Sequence, residues 1–359
     1  MARVRRPRVR GRLPAPALAA ALLLLAGCGS GGKAGSSPAL AGIGAGLKGP
    51  TGLTASVYAH GPPTTAVLAF DPQGRLWLSA AGLEAHAHDG VYLIPRPDAP
   101  AQRVLAGLDD PLGLAWYQGS LYVASVGRVD AYGAFNGTRF TRHRTILTGP
   151  VAGGENNLLA IAPDGRFVMG ITATCDHCTP TSKWSGSIVS FAPNGSDLRL
   201  YAGRIRAPFG LAFFPGTSRL FVTMNQRDDL GAATPGDWLA IVREGQDWGF
   251  PGCYGQGGSV CFGVPQPTAV LDKHAAVGGV VILTGQLGAG IGPSAIVPEW
   301  NVAKVQRVGL EGAGAGFGSV TPFLTGISNP LAIALAPGGA LLVGDWATGT
   351  IYRISRDSS

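Results

Sequence analysis

The sequence predicts an all-β protein, a six-bladed β-propeller with each blade a four-stranded antiparallel sheet, and three observations carry that prediction. One phrase, an apolar run followed by a turn and an alternating run, is read six times, beginning at Thr65, Pro111, Asn157, Pro208, Gly278 and Pro330. Turns such as Asp71-Pro72-Gln73-Gly74 and Pro163-Asp164-Gly165 make each clear copy a β-hairpin signal. Taking Phe70, Trp116, Ile161, Phe213, Ile282 and Leu335 as anchors, the copies are spaced by 46, 45, 52, 69 and 53 residues. That period is one four-stranded blade, with the longer intervals absorbing insertions. Finally, glycine supplies 56 and proline 27 of the 359 residues without a collagen period, and no helical pattern persists from Thr54 onward.

Taken in order, residues 1–27 read as a lipoprotein signal peptide. Arginines stand at positions 3, 5, 6, 8, 10 and 12, Leu18 to Leu25 form an apolar core too short to span a bilayer, and Leu25-Ala26-Gly27-Cys28 follows. That ending resembles a bacterial lipoprotein box, which implies an acylated Cys28 and an extracytoplasmic protein, lipid-anchored to the cell membrane. The leader holds six of the 28 basic residues and none of the 21 acidic ones, so the mature chain has 22 against 21, a net charge of +1. This near-neutral balance gives no sign of a nucleic-acid partner. Residues 28–53, rich in glycine, serine and alanine, read as a flexible tether.

The propeller is expected over 54–357. Val57 to His60 reads as an outer strand, while Gly90–Ile94, Gly186–Phe191 and Ile351–Ile354 are of the third-strand type that follows an inner hairpin. A terminal strand that completes a blade would remove sheet edges, and the sequence leaves open whether Ser56 to His60 does so. The copy at Gly278 is the weakest, its second strand sought near Ser294-Ala295-Ile296-Val297. Trp77, Trp116 and Trp346 sit in apolar strand contexts and read as packing between sheets. His86 and His88 read as a polar loop, with metal binding the alternative, and His143 as a solvated edge charge. In an exported chain the cysteines left after lipidation are read as disulfides. Proximity pairs Cys175 with Cys178 and Cys253 with Cys261, although four cysteines allow three pairings and zinc held by all four is the alternative.

The longest interval carries the chemistry. Ala207 to Cys253 holds a hairpin and then a polar, glycine-rich excursion with Asp228, Asp229, Asp237 and Asp247. Pro208-Phe209-Gly210-Leu211-Ala212-Phe213, the acidic loop after Thr223, Pro235-Gly236-Asp237 and Gln246-Asp247-Trp248-Gly249-Phe250-Pro251-Gly252-Cys253 together resemble the soluble glucose and sorbosone dehydrogenase family. The resemblance spans most of Thr65 to Ser355. It implies a six-bladed propeller that uses pyrroloquinoline quinone (PQQ) and calcium to oxidise aldose sugars, passing electrons to an acceptor the sequence does not name.

By the same resemblance, Arg206 is the quinone-binding arginine, its guanidinium fork suited to a quinone carboxylate or a quinone oxygen. Asn225 is the polar side chain beside calcium, and Gln226 and Arg227 supply backbone carbonyls to it; an arginine there must point away from the cation. The family histidine that takes the sugar hydroxyl proton falls on Gly154, nine residues before Pro163. Glu155 is the ionisable neighbour, with Asn157 a further polar candidate toward the cofactor, and His274 is a base candidate from another blade. The expectation is therefore a quinone- and calcium-dependent sugar or alcohol dehydrogenase impaired by the missing histidine. The alternatives are a non-catalytic surface propeller that binds carbohydrate or protein, and a calcium-dependent hydrolase of the lactonase kind. The loops after Ala152, Thr223 and Thr325 are expected to face one mouth.

Overall fold

In the computed structural model, which describes residues 39–83, 85–149, 155–180, 182–254, 261–311 and 317–357, the hairpin phrases become the inner halves of six sheets. From the inside out, blade 1 runs Thr65–Phe70, Leu76–Ala80, Gly90–Ile94, Gln102–Ala106, and blade 2 Gly113–Tyr117, Ser120–Ser125, Arg128–Phe135, Phe140–Thr148. Blade 3 runs Asn156–Ile161, Phe167–Ile171, Ser187–Phe191, Arg199–Gly203, and blade 4 Pro208–Phe213, Leu220–Met224, Gly236–Val242, Ala269–Lys273. Blade 5 runs Val281–Leu283, Ser294–Glu299, Lys304–Gly309, Val320–Thr325. The weak fifth copy is thus a blade, and its second strand lies where the sequence placed it. Among the described residues, the elements of helix described end to end are two single 3₁₀ turns, His86–His88 and Gly231–Ala233.

Blade 6 settles the closure. Its three C-terminal strands, Pro330–Leu335, Leu341–Asp345 and Thr350–Arg356, are completed by the N-terminal strand Leu53–His60, which pairs antiparallel with Thr350–Arg356. The ring is therefore shut by the two ends of one chain, and the last blade has no bare edge. The tether reading of residues 28–53 needs correction over its second half. Ala41–Gly44 and Leu47–Gly49 form a hairpin that pairs onto the outer strand of blade 5 through Lys48 and Thr325. Its Ile43 and Leu47 alternate inward and are buried against Phe323 and Leu324, a strand signal that the glycine-rich composition hides. Residues 1–38, with the leader and Cys28, lie outside the described residues.

The core is six seams rather than one centre, because each inner strand buries both faces between neighbouring sheets. Trp77, Val91 and Leu93 of blade 1 meet Leu121 and Val123 of blade 2, and Phe221 and Leu239 of blade 4 meet Ile282 and Val297 of blade 5. Trp77 shows why a turn and a strand recur together. Its indole Nε1 donates to Asp71 Oδ2 at 2.8 Å, while Asp71 Oδ1 accepts the amides of Gln73 and Arg75 at 3.0 and 2.9 Å. One buried carboxylate thereby fixes both the turn and the packed ring.

Near the axis the inner strands approach until side chains no longer fit. A Cβ on Gly210 would lie 2.8 Å from the carbonyl oxygen of Gly278, and Thr223 Oγ1 bridges the two residues, accepting from Gly210 N and donating to Gly278 O at 2.8 Å each. Such ties draw the strand starts together into a rigid floor beneath the loops.

Candidate functional site

The excursion expected after Thr223 leaves blade 4 between its second and third strands, over residues 225–235, and returns at Gly236. Asp237, one residue into the returning strand, is only 2% exposed. Its Oδ1 accepts the Gln226 amide at 2.7 Å, and its Oδ2 faces the Val277 amide at 3.4 Å. The excursion and the link into blade 5 are thus held to one carboxylate. Burial pushes the Asp237 carboxyl up to about 6; the Asp228 charge adds to this, and the amides of Gln226, Val277 and Ala276 oppose it.

Two adjoining cavities open beside this carboxylate. One of about 440 Å³ is lined by Asn225, Gln226, Asp228, Asp237, His274 and Asn301, with Ala276 and Trp300. The second, about 210 Å³, shares Asn225, Ala276 and Trp300 with the first and lies on the axis. Every blade contributes to it: Ala81, Leu112, Glu155, Phe209, Val277 and Leu331. Trp300 and Trp346 form one wall, their rings edge to face with centroids 5.5 Å apart. A third cavity, about 510 Å³ between Thr179 and Pro251, is larger but lies on the flank of blade 3, away from these groups.

Glu155, expected as a base, is brought to the axis and is the only ionisable side chain among the described residues that line the axial cavity. Burial raises its pKa, the Asp110 charge raises it further, and Arg206 opposes both. Gly154 and Ala152 lie outside the described residues. His274 is less suited to accept a proton. Its Nδ1 lies 2.6 Å from Asp228 Oδ1 and its Nε2 2.9 Å from the Gly231 carbonyl, so both ring nitrogens face acceptors. Only the imidazolium makes both bonds, and these bonds raise the pKa. His274 lines the cavity of about 440 Å³ as a ring held at both nitrogens rather than as a free base.

Arg206 reaches the predicted neighbourhood, since its Nη1 donates to the Asn225 carbonyl at 3.0 Å. The rest of its fork is occupied: Nη2 donates to Asp176 Oδ1 at 2.6 Å and Nε to the Asp176 carbonyl at 3.1 Å. Asn157 is not placed to hold a cofactor. It is wholly buried in the seam between blades 3 and 4, with Nδ2 donating to Thr172 Oγ1 at 2.5 Å and to the Pro208 carbonyl at 2.9 Å. Arg227 does point away from the cavities, pairing with Asp229 at 2.5 Å and lying over the Tyr254 ring at 5.2 Å.

The two local disulfides are formed, Cys175 to Cys178 and Cys253 to Cys261, so zinc held by all four cysteines is ruled out. His86 and His143 are exposed, as read, but each is paired. His86 Nδ1 meets Asp89 Oδ2 at 2.9 Å, and His143 stacks on Tyr132 while its Nε2 meets the buried Asp130 at 2.9 Å. The residues that sequence reasoning misses are Trp300 and the cavity-lining role of Trp346. A signal existed: Glu299-Trp300 and Asp345-Trp346 each place an acid and a tryptophan at the end of the second strand of consecutive blades.

These surroundings suit calcium better than the quinone. Asn225 Oδ1 is buried without a hydrogen-bond partner, and Gln226, Asp228 and Asp237 line the same cavity, a donor set of the hard-oxygen kind. PQQ carries three carboxylates, and no lysine or arginine among the described residues lines either cavity. With Arg206 already paired to Asp176 and His274 to Asp228, a tricarboxylate would instead face Asp228, Asp237 and Glu155. The residues present do not fit that cofactor.

No family profile matches this sequence, and no curated protein matches it by sequence. Solved structures match it by shape. The PQQ-bound aldose sugar dehydrogenase of Streptomyces coelicolor aligns with a TM-score of 0.70 at 19% identity, over 86% of this chain and 100% of that one. The PQQ domain of pyranose dehydrogenase from Coprinopsis cinerea aligns at 0.69 and 15%, over 86% and 97%. The soluble aldose sugar dehydrogenase of Escherichia coli, in its apo form, aligns at 0.66 and 16%, over 85% and 100%. At these identities the likeness establishes the shared six-bladed fold.

Proposed function

We propose that the mouth of this propeller binds a neutral sugar or related polyol, with calcium assisting, and that it does so on an extracytoplasmic protein anchored through a lipid on Cys28. The observation that carries the reading is the pairing of the Trp300–Trp346 wall with an oxygen-rich cavity that no lysine or arginine among the described residues lines. A sugar ring offers an apolar C–H face to an indole and a rim of hydroxyls to carboxylates and amides, here Asp228, Asn225 and Asn301. Calcium, held by Asn225, Asp228, Asp237 and the main-chain oxygens of Gln226 and Arg227, would polarise hydroxyl oxygens. The structural neighbours support the substrate class, since those named above are dehydrogenases of aldoses or pyranoses.

The test is calorimetric titration of the folded domain with glucose, galactose, mannose and xylose, in calcium and in chelator. Saturable binding is expected, weakened by chelation, and Trp300→Ala is expected to lower affinity roughly thirtyfold, about 2 kcal/mol for loss of a central tryptophan. Binding of no sugar, or an unaffected Trp300→Ala variant, defeats the reading.

Glu155 favours a second reading, in which the bound sugar is oxidised as in a dehydrogenase. A carboxyl of raised pKa in a mostly apolar cup is a suitable acceptor for a hydroxyl proton. Assay with aldoses, calcium and uncharged quinone acceptors separates the two: turnover abolished by Glu155→Gln establishes oxidation. The absence of turnover leaves a binding protein.

A further inference from the structure

The link between the second and third strands of blade 3 carries Cys175-Asp176-His177-Cys178, closed on itself by the disulfide. It lies against blade 4, with His177 Nε2 meeting the carbonyl of Pro251, in the link between that blade's third and fourth strands, at 3.1 Å. Asp176 enters a set of donors that all belong to other segments. Its Oδ1 accepts from Arg206 Nη2 at 2.6 Å and from the Asp228 amide at 3.0 Å, and its Oδ2 accepts from the Asp228 and Asp229 amides at 3.1 and 2.9 Å. A guanidinium beside two successive main-chain amides is a concave receptor for one carboxylate. The chain supplies that carboxylate from 30 residues before the arginine and 52 before the first amide.

We propose that Asp176 is a built-in carboxylate ligand, filling a receptor made by Arg206 and the amides of Asp228 and Asp229, and that this occupancy reserves the adjoining mouth for uncharged ligands. The receptor exists whatever the mouth binds, so the proposal stands apart from the sugar reading. Two features distinguish it from an incidental surface pair. The Arg206 side chain is 16% exposed and held by acceptors at all three nitrogens, and the Asp176 side chain, 35% exposed, is open on its outer side. A small carboxylate from solution therefore has a way in once the aspartate side chain is removed, and the disulfide limits how far the emptied loop can refill the space.

The experiment is chemical replacement. Wild type, Asp176→Ala and the double variant Asp176→Ala/Arg206→Ala are melted in sodium formate or acetate, with sodium chloride at the same ionic strength as control. Formate is expected to raise the midpoint of Asp176→Ala saturably, to leave wild type no different from chloride, and to require at least tenfold more anion in the double variant. Equal responses of wild type and Asp176→Ala overturn the proposal, as does a double variant that responds like the single one. If Asp176→Ala does not fold in chloride, refolding in formate decides: recovery supports the receptor and its failure refutes it. Calorimetry with PQQ gives an independent arm, since wild type, with its receptor filled, is expected not to bind it. Wild-type binding of this tricarboxylate that is lost in Arg206→Ala also overturns the proposal.

Discussion

A chain that begins at Gly61 is expected not to fold cooperatively, whereas one that begins at Pro50 folds. The difference is the strand Leu53–His60, which supplies the outer edge of blade 6 and pairs along seven positions with Thr350–Arg356. Leu53, Ala55, Tyr58 and Ala59 are buried in the seams on either side. Burying a side chain the size of Leu53 or Tyr58 contributes roughly 1.5–3 kcal/mol. Adding the lost ladder and the uncovered Ile351 and Ile354 brings the cost to the order of 10 kcal/mol, comparable with the whole stability of a typical domain. Starting at Pro50 removes only the outer hairpin Ala41–Gly49, chiefly the packing of Ile43 and Leu47. Urea titration followed by tryptophan fluorescence distinguishes the outcomes. A sigmoidal transition in the Gly61 chain near that of the Pro50 chain would show that blade 6 does not depend on its N-terminal strand.

This closure marks where sequence reasoning stops. A hairpin is a local object, and Asp71 with Trp77 or Pro163 with Gly165 announces it within about ten residues, so the blades were legible. The partner of Leu53–His60 lies almost 300 residues away, and nothing local says which edge the strand completes. The site divides in the same way. The excursion after Thr223 and the two disulfides follow from neighbours in the chain or from the repeat, whereas Glu155 was a candidate only through the family resemblance and its place on the axis comes from the fold. The occupation of Arg206 by Asp176 does not, because whether an arginine is available depends on which carboxylate the fold brings to it. His274 illustrates the same limit: a base candidate in sequence becomes, with Asp228 and the Gly231 carbonyl, a ring hydrogen-bonded at both nitrogens.

Stability without calcium is expected to fall as pH rises from about 4 to about 6.5, and Asp237 is the main local reason. Its carboxyl is held at about 6 in the fold against 3.8 ordinarily, so between these values the folded chain keeps a proton that the unfolded chain releases. Stability is thus greatest below the ordinary value and is lost as pH climbs through the folded one. Two units correspond to about 3 kcal/mol, or several degrees in the melting midpoint of a chain this size. Asp237→Asn cannot titrate and should flatten that part of the profile. A divalent cation acts in the opposite sense, because it favours the ionised carboxylate and is displaced by the proton. In calcium the midpoint at pH 7.5 should rise in wild type and remain unchanged in Asp237→Asn, and the calcium effect should fade below pH 6. An Asp237→Asn profile that keeps the wild-type slope in chelator would mean that the slope arises elsewhere, with the buried Glu299, held at about 7 by burial and by the neighbouring Asp272 charge, the next group to replace. If the slope disappears while the calcium response persists, Asp237 is the titrating group and the cation is held by Asn225, Asp228 and the main-chain oxygens without it.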